Sequence, residues 1–252
     1  MYIPVIDGLR ALAVILVLLF HLKIPGFNGG FIGVDIFFVI SGYLITSIYF
    51  YEKDKNNKFD FLSYFEKRFF RLFPSLVFVI LVSLLFGYIL LSPFDLIEIS
   101  KSAIYSILFL SNIYFFLDSS YWANLNEYKF FIHTWSLGIE MTFYILMPLF
   151  LFLIYRFNNK FKILICLLTI LLSIFLIVFV IYKGPTIETA KFFGLFYGKE
   201  VSDVLFYLIP FRFFEFLFGS IIFFIPEKKF NKKIKQFFFL IGLSLIFFSL
   251  YL

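Results

Sequence analysis

Leu72–Phe94 and Ile163–Tyr182 are runs of twenty or more residues without a charged side chain. A helix needs about 20 such residues to cross the hydrocarbon core of a bilayer, and within lipid its backbone groups must be satisfied inside the segment. These two runs therefore point to membrane-spanning helices. The remaining sequence has the same character: 62% of residues are apolar, against about 45–50% in soluble domains. Only 15% are charged, against about 25%, and both an ordinary soluble domain and a disordered chain are excluded.

Apolar windows fall at Leu9–Phe27, Phe31–Tyr51, Leu72–Leu91, Ile104–Leu117, Ile132–Tyr155, Ile163–Tyr182, Val204–Ile225 and Phe237–Leu252. Loop charges orient them. Lys53, Lys55, Lys58, Lys67, Arg68 and Arg71 follow the second window, and Arg156, Lys160 and Lys162 follow Tyr155. Lys228, Lys229, Lys232, Lys233 and Lys235 follow Ile225. The positive-inside rule makes these three loops cytoplasmic, and it leaves Ser92–Ser100, Asp118–Phe131 and Lys183–Asp203 outside. External loops then flank Ile104–Leu117 on both sides, so that window, short and containing Asn112, is expected to form a re-entrant or interfacial hairpin. The expected fold is an all-α integral membrane bundle of about seven transmembrane helices plus one hairpin, with a cytoplasmic amino terminus. The first window reads as a retained helix, because it lacks a small-residue cleavage site and carries Arg10 and His21.

The net charge of +6 sits in loops between spans rather than along one soluble face, which argues against nucleic acid as a partner. Cys166 is the only cysteine and lies in an uncharged run, so neither a disulfide framework nor a metal site is expected.

Charged and polar residues within membrane segments are costly and usually line a cavity or pathway. Arg10 and His21 lie eleven residues apart on the first helix, on one face and about 16 Å apart along the axis, with Asp7 one turn before Arg10. His21 either lines such a pathway or marks the helix end at the interface. Asp35 follows a short connection and is expected to share the external end with His21, where a carboxylate fixes an imidazole tautomer; the same residue also suits a helix N-cap. Arg68 and Arg71 are i,i+3 neighbours suited to bidentate phosphate binding or to anchoring the topology at lipid head groups. His133 and Glu140 are seven residues apart and share a face, Ser136 is one turn from Glu140, and Trp135 fits an interfacial belt. Arg212 and Glu215 read as either a structural ion pair near mid-depth or catalytic residues.

In order and spacing these segments resemble the membrane acyltransferase-3 family, which includes O-acetyltransferases of bacterial O-antigen and other surface polysaccharides. The matching stretches are Ile6-Asp7-Gly8-Leu9-Arg10-Ala11 with His21, and the run from Gly30 to Thr46 containing Gly33, Asp35, Ser41 and Gly42. Arg68, Arg71 and Pro74 follow, then His133-Thr134-Trp135-Ser136-Leu137 with Glu140, Phe143, Tyr144 and Pro148. Pro210, Arg212, Glu215 and Gly219 complete the pattern. The resemblance implies a multi-pass protein of the bacterial cytoplasmic membrane that moves an acyl group, typically acetyl, from cytoplasmic acyl-CoA to a glycan hydroxyl outside. It implies His21 as catalytic base with Arg10 as its partner, Asp35 and Glu140 among the catalytic groups, and Arg68 and Arg71 at the donor. His133, Trp135, Ser136, Arg212 and Glu215 are then expected near substrate, without metal.

Two departures stand out. Family members usually show paired carboxylates followed by Gln before Phe-Tyr, whereas Glu140 is followed here by Met141 and Thr142. Members also usually have about ten spans, so residues 1–252 read as an acyltransferase-3-like domain lacking its carboxy-terminal spans. Two other classes stay open at this stage: a non-catalytic remnant or partner subunit, and a transporter or flippase of a polar substrate.

Overall fold

With apolar side chains at most positions and no water to satisfy the backbone, helix is the expected solution, and the computed structural model contains no strand among the described residues. It describes residues 4–118, 129–183, 201–225 and 231–251. Most of the expected external segments Asp118–Phe131 and Lys183–Asp203, together with Lys228 and Lys229, lies outside the described residues.

The α-helices are α1 (Pro4–His21), α2 (Ile32–Asn56), α3 (Phe61–Leu90), α4 (Pro93–Ile107), α5 (Ser111–Asp118), α6 (Trp135–Ile154), α7 (Asn159–Lys183), α8 (Val201–Tyr207), α9 (Phe213–Phe224) and α10 (Lys232–Ser249). Among the described residues, five segments are long and apolar enough to cross a membrane: Pro4–His21, Ile32–Asn56, Phe61–Leu90, Ile132–Ile154 and Asn159–Lys183. Phe213–Phe224 and Gln236–Ser249 are shorter apolar helices. The chain is an all-α, multi-pass membrane protein, and Phe78, Val79, Leu81 and Leu85 of α3 are among its exposed apolar side chains.

Three expected windows are cut differently. The first helix ends at His21 instead of Phe27: Lys23 takes a positive φ of 54°, and its N–H and that of Ile24 return to the carbonyls of Phe20 and Leu19. That is the paired bonding of a Schellman cap. Ile104–Leu117 splits between α4 and α5, where Phe109 (φ 56°) forms the same kind of cap, with Leu110 N–H bonded to the Tyr105 carbonyl. Neither resulting helix is long enough to cross. Val204–Ile225 is also broken, because Pro210 sits in a 3₁₀ turn (Ile209–Phe211) between α8 and α9 and lacks the N–H that a continuous helix requires.

The chain forms two compact units. One comprises Met1–Ser47, Phe157–Cys166 and Glu215–Leu252. Its helices approach at backbone distance: a Cβ on Gly33 would lie 2.4 Å from the Ala13 carbonyl, and one on Gly42 2.0 Å from the Phe216 carbonyl. Small residues at such crossings are the usual device where lipid supplies no hydrophobic drive between helices. Beside this contact Thr46 and Ser220 share a buried 2.8 Å hydrogen bond, and Phe38 stacks on Phe216 at 4.8 Å. Gly42→Leu is therefore expected to cost about 1–3 kcal/mol or more by overpacking, read as a lower midpoint of thermal unfolding in detergent. An unchanged midpoint would contradict this helix contact.

The other unit comprises Ile48–Arg156 and Leu167–Phe214. Its hairpin of α4 and α5 carries buried Ser102, Ser106, Ser111 and Asn112. Each has a protein partner: Ser102 donates to the Ile99 carbonyl, Ser106 meets Thr134 at 2.8 Å, Ser111 donates to the Thr134 carbonyl, and Asn112 donates to the Tyr207 carbonyl. Apart from Asn112 Oδ1, which has no hydrogen-bond partner among the described residues, these groups are satisfied by protein, which is what allows a non-spanning hairpin at membrane depth.

Candidate active site

In the first unit, α1 carries both Arg10 and His21. Arg10 is half-buried and its Nη1 lies 3.4 Å from Asp7 Oδ1. His21 is the last helical residue and is exposed, its ring edge-on to Phe20 at 5.1 Å.

The α1–α2 register changes the expected role of Asp35. Gly30 closes on Leu16 and Phe20, and Gly33 on Ala13 and Val17. Extrapolated along the two helices, this sets Asp35 near the level of Ala13, roughly 12 Å from His21 along α1 and within one turn of Arg10. The connection doubles back before α2 begins, so nearness in sequence does not put Asp35 at the histidine end.

In the second unit the structure gathers residues that the sequence leaves far apart. The Arg68 guanidinium lies over the rings of Tyr64 and Tyr144, at 5.9 Å and 5.8 Å. Tyr144 donates its hydroxyl to Glu140 Oε1 at 2.5 Å. Arg68 and Glu140, expected at different stations, thus belong to one cluster that links α3 to α6. Tyr64 is buried and its hydroxyl has no hydrogen-bond partner among the described residues. Sequence reading missed it, although its position one turn before Arg68 is a usable signal. Arg71 is exposed, so the two arginines do not present a joint fork. Asp60 caps α3 by accepting the Ser63 N–H at 3.1 Å.

A second group forms around Trp135, which is buried and packs on Phe206 with ring centroids 4.2 Å apart. The Arg212 guanidinium lies 5.7 Å from the Trp135 ring, and its Nε donates to the Phe206 carbonyl at 3.4 Å. Trp135 is therefore a packed residue here. His133 is exposed in the turn before α6, and Ser136 donates to its carbonyl at 3.3 Å. Arg212 precedes α9 instead of lying within a span, and Glu215, in the first turn of α9, is buried.

A helical bundle with charged groups on membrane-length helices defines a multi-pass membrane protein with a built polar interior. The chain belongs to the acyltransferase-3 family, whose domain, described as "Acyltransferase domain", matches residues 3–252. It is 41% identical over 160 residues to the O-acetyltransferase OatA of Staphylococcus aureus, covering 63% of this chain and 26% of that protein. It is 40% identical over 164 residues to the peptidoglycan O-acetyltransferase OatA of Listeria monocytogenes, covering 65% and 26%. A putative peptidoglycan O-acetyltransferase of Bacillus subtilis, YrhL, is 41% identical over 151 residues, covering 60% and 24%. The matched region thus spans about a quarter of the length of these relatives. No solved structure matches.

Proposed function

We propose that this chain is an O-acyltransferase that takes an acetyl group from acetyl-CoA on the cytoplasmic side and esterifies a hydroxyl of an extracytoplasmic glycan, with peptidoglycan as the acceptor class. The reading rests chiefly on the family match over residues 3–252, with Arg10 and His21 together on α1.

The chemistry follows from the residues. A sugar hydroxyl has too high a pKa to attack a thioester unaided, so a base must take its proton as the C–O bond forms. His21, exposed at its helix end, is that base. The thioester C–S bond breaks, and the proton returns to the leaving thiolate as free CoA. Arg10, about 16 Å from His21 along α1, is too far to reach the same carbonyl and instead positions the donor on its way to that base. Asp35 acts at the Arg10 end of α1. Arg71, exposed on the basic side of α3, takes the phosphates of the donor, which cannot enter hydrocarbon, while Arg68 is held inward among Tyr64, Tyr144 and Glu140. Membrane fractions containing the protein are expected to release free CoA thiol from acetyl-CoA only when a glycan acceptor is added. Acceptor-independent release, or none from a correctly inserted protein, would count against the reading.

A further inference from the structure

The second unit holds a cavity that the acyl-transfer reading has not used. Where α3 ends and α4 begins, these helices and the end of α5 enclose about 170 Å³. Ile99 and Phe115, both buried, form its floor. Around it stand three carboxylates, from Asp95, Glu98 and Asp118, against one ammonium, that of Lys129. These groups are held in place. Lys129 Nζ lies 2.6 Å from Asp118 Oδ2 and 6.0 Å from the Phe115 ring centroid, Lys101 holds Glu98 at 2.6 Å, and Asp95 accepts from Ser92 Oγ at 2.7 Å. Tyr114, also in the lining, stacks on Tyr105 at 4.7 Å. Burial first, then the nearby Asp118 and Glu98 carboxylates, push its phenol pKa up to about 12, so it is a hydroxyl donor at neutral pH.

We propose that this cavity binds one uncharged sugar residue of the glycan acceptor. The inference rests on the acyl-transfer reading, which puts glycan on the side where α3 ends. A sugar ring presents hydroxyls at its edge and C–H groups on its faces. Carboxylates accept those hydroxyls in strong, charge-assisted bonds, Tyr114 and Lys129 donate to ring or acetamido oxygens, and Phe115 and Phe130 offer apolar surface to the faces. Lys101 and Lys129 offset two of the three carboxylates, and the remaining negative charge disfavours an anionic ligand. Among the described residues no group of three His, Cys, Asp or Glu is arranged to hold a metal ion. Pockets for drug-sized ligands run to about 300–1,000 Å³, so the space suits a single ring of a longer chain.

The test uses the whole chain in detergent micelles, with the trimer of N-acetylglucosamine as probe and saturation-transfer NMR titration as readout. The trimer is expected to bind, and Glu98→Gln and Asp118→Asn are each expected to weaken binding about 10-fold or more, the loss typical of a hydrogen bond to a charged group. Tyr114→Phe gives a smaller loss. A trimer of the same length bearing carboxylates is expected to bind at least tenfold more weakly than the neutral one. Thermal unfolding of each variant identifies those that are folded. No binding of the neutral trimer, equal binding of the anionic one, or full binding by folded Glu98→Gln and Asp118→Asn would overturn the proposal, leaving the cavity a packing gap. Acetyl transfer measured in parallel separates the two readings. Wild-type transfer that survives in cavity variants with unchanged binding removes only the subsite, whereas cavity-dependent binding with no wild-type transfer removes only the acyl-transfer reading.

Discussion

Glutamine in place of His21 is expected to leave the protein in the membrane and to lower acyl transfer by about 10²- to 10⁴-fold, the usual contribution of a general base. His21 is the last residue of α1 and is exposed, just before the turn closed by Lys23 and Ile24, so the substitution is made outside the packed core. Glutamine keeps the polarity of the position and loses the base. Acetyl incorporation into surface glycan, compared at matched protein levels, gives the readout, and acetyl-CoA binding is expected to be unchanged. A variant with most of the wild-type rate would show that the proton leaves by another route.

The second large effect concerns the donor. Arg71→Ala is expected to raise the KM for acetyl-CoA about 10- to 100-fold, the loss of charge-assisted bonds worth about 1.5–3 kcal/mol. Insertion should survive, because Lys53, Lys55, Lys58 and Lys67 still supply inside charge. Arg71→Lys should recover little, since a point charge does not reproduce a planar fork. Arg68→Ala is expected to differ in kind. It takes a cation away from the Tyr64 and Tyr144 rings and from the cluster in which Tyr144 donates to Glu140, so stability falls together with activity. Unchanged donor KM in both alanine variants would return these arginines to a role in orienting the chain.

The uncharged runs that became α3 and α7 were legible from composition alone, because length and apolarity decide whether a helix can span. Loop-charge parity singled out Ile104–Leu117 as non-spanning, and the structure turns it at Phe109. The turn itself was hidden, because a phenylalanine in the left-handed region carries no glycine signal for a helix end. The break at Pro210 was visible as a proline but was masked by the high apolarity around it. Arg10 and His21 stand out in the sequence because a charged or titratable side chain on a membrane-length helix is conspicuous. Their relation to Asp35 was misjudged, since glycine-mediated contact sets the α1–α2 register, whereas chain proximity does not. The Arg68–Tyr144–Glu140 cluster was out of reach, because nothing in one sequence reports which faces of α3 and α6 meet.

The central claim is that acyl transfer crosses the bilayer through this protein. Proteoliposomes that enclose acetyl-CoA labelled in its acetyl group, with glycan acceptor supplied only outside, test it most directly. The account predicts His21-dependent appearance of label on the external glycan while CoA stays in the lumen. Label reaching glycan only when donor and acceptor share one compartment, or reaching it equally with His21→Gln, would contradict it.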